Sequence, residues 1–307
     1  METVDIYKAP LAIPIKVKSA GFFADKILAE QPATVVNGVT SQGVFLLVEN
    51  RYVLFISFGS NRAPLTINLG VKQEALTKLK VGSTAQVKKN EVFFPEIRTR
   101  LIWNENLIWH PTQPTLTNSR PEQRLYTLKK IARGVVQEKE GEMGFTPLLG
   151  VIFKEIGGEI PVELEPLCQA LETLQTALRE KNNGVTHRIL ERFLGFGRGL
   201  TPSGDDFAAG ILLALNRWHE LVCPGYPRRE LNIELISSAQ RKTTRLSANL
   251  IEQAATGIAD ERLLKTIDNI MHGEEDIQEN ILEISHLGHS SGADTLVGMA
   301  VVLTCES

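Results

Sequence analysis

The sequence predicts an α+β protein, in which an N-terminal antiparallel β domain, either a small sheet or a barrel, precedes an all-helical C-terminal domain. Three observations support this prediction. Short β-rich segments fill the first hundred or so residues, a Pro- and Thr-rich stretch lies before residue 120, and helical periodicity begins at Pro121. We place the domains at residues 1–115 and 120–307. A chain of 307 residues, 43% of them hydrophobic, is long enough to form two cores.

The β domain is predicted from segments rich in Val, Ile, Leu and aromatic residues. Turn signals between them include Asn37-Gly38, Glu49-Asn50-Arg51 and the hairpin sequence Lys89-Asn90-Glu91. The predicted strands are Thr34 to Val39, Val44 to Glu49, Tyr52 to Phe58, Leu65 to Leu69, Thr84 to Lys88, Val92 to Phe94 and Arg98 to Trp103. No catalytic constellation is found in this domain.

The helical domain is predicted from periodicity and from helix start signals. Pro121 followed by Glu122 is typical of a first helical turn. A leucine stripe at three- and four-residue spacing between Pro161 and Lys181 indicates a core-facing helix. Further helices are expected over 185–194, from Gly204, and over 230–256, 260–272 and 274–287.

Two similar loops each precede an apolar helix. The first is the stretch from Gly195 to Gly210, which reads GFGRGLTPSGDDFAAG. Its second half, Ser-Gly-x-Asp-x-x-x-Gly from Ser203, recurs without a gap from Ser291 to Gly298. We therefore expect two similar helix starts to face one site.

The chemistry of these loops indicates a small-anion site. Glycine-rich turns let the backbone approach a ligand closely, and free N–H groups at a helix N-terminus attract phosphate or carboxylate groups. Hydroxyl side chains in the same loops add further donors. The predicted anion-binding residues are Gly197, Arg198, Gly199, Thr201, Ser203, Gly204, Ser290, Ser291 and Gly292.

Three carboxylates in the same motifs repel a bare anion unless a metal, an amide or a cationic group lies between them. A divalent ion such as Mg²⁺ bridging Asp206 and Asp294 to a phosphate would resolve this, as would Asp205, Asp206 and Asp294 accepting bonds from a substrate amide. No cofactor is certain. His289 is a candidate acid or base, with His286 as the second choice.

The segment around residues 241–249 contributes a second polar set. Thr244, Ser247 and Asn249 carry hydroxyl and amide groups that could line a pocket between helices and contact the substrate. Helix interiors disfavour such residues because their side chains compete for backbone hydrogen bonds. The simpler interpretation is an exposed or lightly packed helix.

Simple structural roles also explain much of the loop sequence. Ser203-x-x-Asp206 and Ser291-x-x-Asp294 each match a capping box, in which the side chains satisfy helix N–H groups. Gly210 and Gly298 would then be positions where two helices pack closely. By the same reasoning, His289 would be a structural histidine and Arg198 a solvated loop residue.

Composition excludes several functions. The net charge of −3 and the lack of a basic cluster with interleaved aromatics argue against nucleic-acid binding. Cys168, Cys223 and Cys305 lack metal-ligand spacing and suggest a reducing compartment. The start Met1-Glu2-Thr3-Val4-Asp5 lacks signal-peptide features and no apolar run approaches a membrane span, so we expect a cytoplasmic protein.

Three motifs resemble a bacterial family long regarded as a domain of unknown function. They are Gly-x-Gly-Leu-Thr-Pro-Ser-Gly-Asp-Asp-Phe at 197–207, Lys-Thr-Thr-x-x-Ser-Ala-Asn-Leu at 242–250 and Gly-His-Ser-Ser-Gly-x-Asp-Thr-Leu-x-Gly at 288–298. One branch of that family is the AllH-type subunit of oxamate carbamoyltransferase. It occurs beside two other subunits in anaerobic allantoin and purine breakdown.

The resemblance implies carbamoyl transfer, in which oxalurate and phosphate give oxamate and carbamoyl phosphate, the substrate of a carbamate kinase. Loop N–H groups and hydroxyls would hold the anions and stabilise the oxyanion. Asp205, Asp206 and Asp294 would orient the ureido group or a metal, and His289 would supply the proton to the leaving nitrogen. The partners implied are the anionic substrates and the other subunits.

Two other functions stay open at this point. Because the chemistry of a multi-subunit enzyme can lie on a partner, this chain could be a non-catalytic scaffold or binding subunit of that complex. The third possibility is a stand-alone metal-dependent hydrolase that acts on an amide or phosphate ligand.

Overall fold

The structure is a computed structural model that describes residues 12–139, 144–154, 156 and 159–306. The chain divides into two compact units, one ending at His110 and the other starting at Pro111. The first is built around a sheet and the second is helical, which confirms the predicted α+β class. The domain limits 1–115 and 120–307 stay predictions.

The first unit contains one ten-stranded sheet and one α-helix among the described residues. The strands are β1 (Ile13–Lys16), β2 (Ser19–Gly21), β3 (Thr34–Val39), β4 (Gly43–Val48), β5 (Tyr52–Ser57), β6 (Thr66–Asn68), β7 (Thr84–Lys88), β8 (Glu91–Phe94), β9 (Thr99–Ile102) and β10 (Ile108–Trp109). Helix α1 (Phe22–Ala29), which the sequence did not indicate, lies between β2 and β3 in the chain. The strand order is β1-β9-β8-β7-β3-β4-β5-β6-β2-β10.

Antiparallel hairpins form the middle of the sheet, as predicted. β3 pairs with β4, β4 with β5, β7 with β8 and β8 with β9, all antiparallel. Glu49 and Asn50 make the turn between β4 and β5 with φ of 50° and 52°, the left-handed conformation that two-residue hairpins favour. Asn37-Gly38, in contrast, is not a turn. It lies inside β3, where the register shifts between Val36 and Gly38.

Parallel pairing extends the hairpins at both edges. β1 pairs parallel with β9, β5 with β6, and β2 with β10. The β1–β9 and β2–β10 pairs join strands that are distant in sequence, so no turn signal announces them, whereas β5 and β6 are consecutive strands. The core of this unit includes the fully buried side chains Leu28, Val36, Leu46, Leu54, Ile56, Ile67, Phe94 and Leu101.

Within its described residues, the second unit consists of helices and connecting loops, with short 3₁₀ turns at 162–164 and 304–306. Its α-helices are α2 (Pro121–Glu138), α3 (Leu148–Ile152), α4 (Glu165–Arg179), α5 (Asn183–Phe193), α6 (Ser203–Arg217), α7 (His219–Val222), α8 (Arg228–Lys242), α9 (Arg245–Ala254), α10 (Glu261–His272), α11 (Gln278–Ser285) and α12 (Ser291–Leu303). None of these helices is long and apolar enough to cross a membrane.

The proline-rich stretch after Pro111 is attached to the helical unit. The buried Arg217 side chain donates to the carbonyl oxygen of Thr112 at 3.0 Å and forms a two-bond ion pair with Asp268 at 2.7 and 2.6 Å. His272 bonds to the Thr115 hydroxyl at 3.0 Å, and Ser119 donates to a backbone carbonyl of α10. These contacts explain why the second unit starts at Pro111.

Helices α6 and α12 form the centre of the helical unit. Nearly every residue of α6 and every residue from Gly292 to Leu303 in α12 is buried. A β-carbon at Gly210 would overlap the carbonyl oxygen of Thr295, and one at Gly298 would overlap that of Phe207. The expectation that these two glycines allow close helix packing is therefore confirmed.

One helix prediction is wrong. The expected single helix over 230–256 is two helices, α8 and α9, separated at Thr243 and Thr244. Thr243 is extended (φ −132°, ψ −173°), and the Thr244 hydroxyl accepts a bond from the Ser247 N–H at 3.1 Å, capping α9. Thr243 and Thr244 are both β-branched, and the hydroxyl of Thr244 caps the next helix. The two residues together therefore favour a break over a continuous helix.

Candidate functional site

The N-termini of α6 and α12 meet at the two repeated motifs. The Thr201 hydroxyl just before α6 lies 2.9 Å from the Ser291 hydroxyl at the start of α12. Pro202 and Ser290 occupy the two N-cap positions, and neither helix has a side-chain capping bond within the described part of the chain. The capping-box interpretation is therefore wrong for both motifs, because their polar side chains bond across the helix pair instead.

The serine and aspartate of each motif face those of the other. The hydroxyls of Ser291 and Thr201 hydrogen-bond to Asp206, and the hydroxyls of Ser203 and Ser290 hydrogen-bond to Asp294. Asp206 and Asp294 are 5% and 0% exposed, so both side chains are buried. The two copies thus bring Asp206 and Asp294 together as one acid pair. The duplicated sequence predicted that the two helix starts face one site, but it did not predict this pairing of the acids.

The two carboxylates differ in what stabilises their charge. Oδ1 of Asp294 accepts the Phe145 N–H at 2.6 Å, and the positive charge of Lys139 lies close to Asp294. The groups that act on Asp206 are the Ser291 and Thr201 hydroxyls and the carboxylates of Asp294 and Asp205. In both aspartates Oδ2 is buried without a hydrogen-bond partner among the described residues.

These surroundings set the protonation of the pair. Burial, reinforced by the charge of Asp294, raises the pKa of Asp206 well above its ordinary value. Burial also raises the pKa of Asp294, but the Phe145 N–H, the Ser203 and Ser290 hydroxyls and Lys139 all lower it. Asp206 is therefore held toward its neutral form, whereas Asp294 has donors and a nearby positive charge that partly offset the effect of burial.

The first loop, Gly195 to Thr201, is exposed from Gly195 to Leu200, and Thr201 is partly buried. Gly195, Gly197 and Gly199 have φ of 77°, 112° and 99°, a backbone conformation that strongly favours glycine. Within the described residues, the amides from Gly197 to Thr201 donate no hydrogen bond. In α6 itself the amides of Gly204, Asp205 and Asp206 are already bonded to backbone carbonyls. Among the described residues, the backbone donors available to a ligand therefore belong to the loop and to Ser203, the first residue of α6.

The junction between α8 and α9 holds this loop in place. Asp205, 1% exposed, accepts the Gly195 N–H at 2.8 Å and the Thr243 hydroxyl, and the Ser247 hydroxyl also faces it. The Thr244 hydroxyl donates to the Leu200 carbonyl oxygen at 2.7 Å. Burial raises the pKa of Asp205, and these donors lower it. The structure thus gives Asp205 and the predicted binders Thr244 and Ser247 a supporting position under the loop.

The second loop is shorter and leads directly into α12. Gly288 has φ of 65°, and His289 is exposed, as is His286. Lys139, at the end of α2, donates to the His289 carbonyl oxygen at 2.6 Å. His289 therefore lies next to the acid pair, and the bond from Lys139 holds its backbone in place.

Two predicted binding glycines sit at packing positions. A β-carbon at Gly204 would overlap the Phe193 carbonyl oxygen at the end of α5, and one at Gly292 would overlap the Ile284 carbonyl oxygen in α11. Each motif is therefore a helix–loop–helix unit, α5–α6 or α11–α12, in which the second helix starts against the end of the first.

Sequence reasoning missed three contributors to the site. Phe145 reaches Asp294 across 149 residues of chain, Lys139 lies close to the same carboxylate, and Thr243 reaches Asp205 across 38 residues. Phe145 also packs its ring against Phe193 and Phe207 with centroids 5.8 Å away in each case. Phe145 and Lys139 lie outside the quoted motifs. Thr243 lies inside the motif at 242–250, but only its tertiary contact shows that it bonds Asp205.

The described residues contain no group of three or more His, Cys, Asp or Glu side chains positioned to hold a metal ion. Asp206 and Asp294 are accordingly a pair surrounded by hydroxyl groups. A divalent ion at this pair stays a prediction of the sequence.

Comparison with known protein families finds a match to the part of the chain that carries this site. A family model described as oxamate carbamoyltransferase subunit AllH matches residues 193–303. The matched segment runs from the last residue of α5 to the last residue of α12 and so includes both loops and the acid pair. The resemblance seen in the motifs is thereby confirmed. No solved structure matches the chain.

Proposed function

We propose that this chain is a subunit of an oxamate-type carbamoyltransferase and that its two loops bind the small anionic substrates. The observation that carries the proposal is that the family match includes both glycine loops together with the helices α6 and α12 that follow them. The part of the chain similar to the AllH family is the part that builds the acid pair and the open loop.

The first loop supplies the donors for an anion. Four consecutive amides from Gly197 to Leu200 have no hydrogen-bond partner in the described part of the chain, and they lie in an exposed, glycine-rich segment. Arg198, also exposed, adds a positive charge. Amides and a guanidinium together suit a phosphate or the carboxylate of oxalurate, and they would also stabilise the oxyanion formed at the ureido carbonyl.

The reaction requires groups that bind the phosphate and groups that orient the ureido group of oxalurate. A phosphate oxygen attacks the ureido carbon, the bond from that carbon to the amide nitrogen breaks, and oxamate leaves with one added proton. The ureido group also has N–H donors, which the hydroxyl and carboxyl oxygens around Asp206 and Asp294 are suited to accept. We assign this orienting role to Ser203, Ser290 and Ser291.

The test is carbamoyl phosphate formation from oxalurate and phosphate by the complex purified through a tag on the full chain. We expect partner subunits to co-purify and the complex to be active, and we expect Arg198→Gln to raise the KM for phosphate or oxalurate at least several-fold. Arg192→Gln, which removes an exposed arginine of α5, is the matched control and should leave KM unchanged. An active complex with identical kinetics in both variants would indicate a scaffold role for this loop.

A further inference from the structure

We propose that Lys139 is a positioning residue of the site, whose ammonium holds the second loop and offsets the charge of Asp294, so that the chain binds phosphate and oxamate without a divalent ion. This inference rests on the proposed binding of anionic substrates. It assigns the positive charge that an anion beside carboxylates requires to the protein itself and not to the predicted Mg²⁺. Neither the three motifs nor the matched segment 193–303 includes Lys139.

Lys139 is buried to a degree that requires a counter-charge. It is 9% exposed, and among the described residues the only other basic residue buried to this degree is Arg217. The burial of Arg217 is explained by its two-bond ion pair with Asp268. Because a buried ammonium is costly unless it is paired and hydrogen-bonded, Lys139 requires a buried carboxylate of its own.

The position of the ammonium at the second loop points to Asp294 as that carboxylate. Nζ of Lys139 donates to the His289 carbonyl oxygen at 2.6 Å. The carbonyl oxygen of the next residue, Ser290, accepts the Asp294 N–H at 2.9 Å, so Asp294 lies about one helical turn beyond the loop that Lys139 holds. Burial raises the pKa of Asp294, and the positive charge of Lys139 is among the groups that lower it.

The backbone of residues 144 and 145 accounts for only one oxygen atom of this carboxylate. The Phe145 N–H donates to Oδ1 of Asp294 at 2.6 Å, and a β-carbon at Gly144 would lie 2.8 Å from the same atom. Oδ2 of Asp294 is buried and has no hydrogen-bond partner among the described residues. A carboxylate in this condition keeps its negative charge most easily when a cation lies nearby, which is the role that we assign to Lys139.

The lysine–aspartate pair also affects anion binding. The amides from Gly197 to Leu200 and the guanidinium of Arg198 attract an anion, whereas the carboxylate of Asp294 repels it. A lysine charge that offsets Asp294 removes part of this repulsion from inside the protein, so no divalent ion has to bind with the substrate. Lys139 therefore acts through Asp294 and the second loop and not by contact with the ligand.

The first arm of the test is calorimetric titration of the full chain with inorganic phosphate and with oxamate, once in EDTA and once in Mg²⁺. The wild type should bind equally well in both. Lys139→Met should bind at least about tenfold more weakly, because one unit of positive charge is lost near the anion. Lys139→Arg should keep most of the affinity, since it keeps the charge.

Lys130→Met is the matched control for this arm. Lys130 lies on the same helix and also donates to a backbone carbonyl oxygen, that of Glu275 at 3.1 Å. The control should therefore bind like the wild type. Wild-type binding that requires Mg²⁺, or an affinity of Lys139→Met equal to that of the wild type, would overturn the proposal.

The second arm separates the effect of charge from that of structure. Asp294→Asn introduced into Lys139→Met should recover most of the lost phosphate affinity, because the carboxylate that Lys139 offsets is then gone. In urea unfolding, the midpoint of this double variant should fall by less than the sum of the two single shifts, whereas Lys130→Met and Asp294→Asn should be additive. Additive shifts for Lys139→Met and Asp294→Asn would contradict the pair.

The two arms also distinguish this inference from the function on which it rests. A folded wild-type chain that binds neither phosphate nor oxamate would refute the proposed substrate binding and with it the effect of Lys139 on anions. The unfolding measurements would still decide whether Lys139 and Asp294 form a pair.

Discussion

Gly210 of α6 and Gly298 of α12 stand in equivalent places, each against a backbone carbonyl of the opposite helix. A β-carbon at Gly210 would meet residues 295 and 299, and one at Gly298 would meet residues 207 and 211. Residues 295 and 299 occupy the same motif positions as 207 and 211. The helix pair therefore has local two-fold pseudosymmetry, and the crossing that the glycines permit holds Asp206 and Asp294 face to face.

Gly210→Ala should destabilise the protein by about 1–3 kcal/mol, because overpacking at the crossing outweighs the better helix propensity of alanine. Gly298→Ala should behave alike. Gly184→Ala is the matched control, since a β-carbon there meets only a side-chain oxygen at 3.9 Å, and it should be neutral or slightly stabilising. Urea unfolding followed by circular dichroism measures all three. Equal stability of Gly184→Ala and Gly210→Ala would contradict the close crossing.

Asp205→Asn should keep both the fold and the activity, because an amide can still accept the Gly195 N–H and bond the Thr243 hydroxyl. Asp205→Ala should cost about 1–3 kcal/mol, since it leaves buried donors unsatisfied. Thermal unfolding and ligand affinity measured on both variants check this. Loss of turnover in a well-folded Asp205→Asn would show that Asp205 is catalytic and not a support for the loop.

The two glycine loops and the buried helices behind them were predictable because each motif is local and the duplication is visible in the sequence. The break between α8 and α9 was missed although Thr244 caps α9 locally, because the bond from its hydroxyl to the Leu200 carbonyl is a tertiary contact that the local sequence does not show. Likewise, the capping-box interpretation failed because Ser203 and Ser291 bond the aspartate of the opposite motif. A local sequence pattern does not indicate that each serine bonds the aspartate of the opposite motif and not its own.

The pairing of the strands was also only partly predictable from the sequence. Hairpin pairing of β3, β4 and β5 follows from short loops between adjacent segments. Parallel pairing of β1 with β9 joins Ile13 to Thr99, and nothing near either residue specifies it. Contacts distant in sequence depend on the folded core as a whole.

The stability of the protein should fall as pH rises above about 4 because of Asp206. Its folded-state pKa is raised above the ordinary value of 3.8, so the neutral form stabilises the fold fully below that value. Between the ordinary pKa and the folded-state pKa, this stabilisation declines by about 1.4 kcal/mol for each pH unit, and it is gone once the pH exceeds the folded-state pKa.

Asp206→Asn should therefore lose less unfolding free energy than the wild type between pH 4 and pH 8. Urea unfolding at several pH values measures the difference. Asp276→Asn, at an exposed position, should follow the wild-type curve. An Asp206→Asn curve parallel to that of the wild type would contradict the buried neutral acid.

Thr244→Val should cost about 1 kcal/mol, the usual effect of removing a helix N-cap, and should also release the Leu200 carbonyl from its donor. Thr244→Ser keeps the hydroxyl and should stay close to wild type. Urea unfolding gives the stability, and oxamate affinity reports on the loop. Equal affinity in both variants would mean that α9 does not position the first loop.

The central claim is that this chain itself binds the anionic substrates, and calorimetric titration of the purified full chain with oxamate, with and without phosphate, tests it most directly. We expect binding that strengthens when phosphate is present, weakens at high salt, and is reduced in Arg198→Gln but not in Arg192→Gln. A folded chain that takes up no oxamate under any of these conditions would contradict the claim and would move the substrate site to a partner subunit.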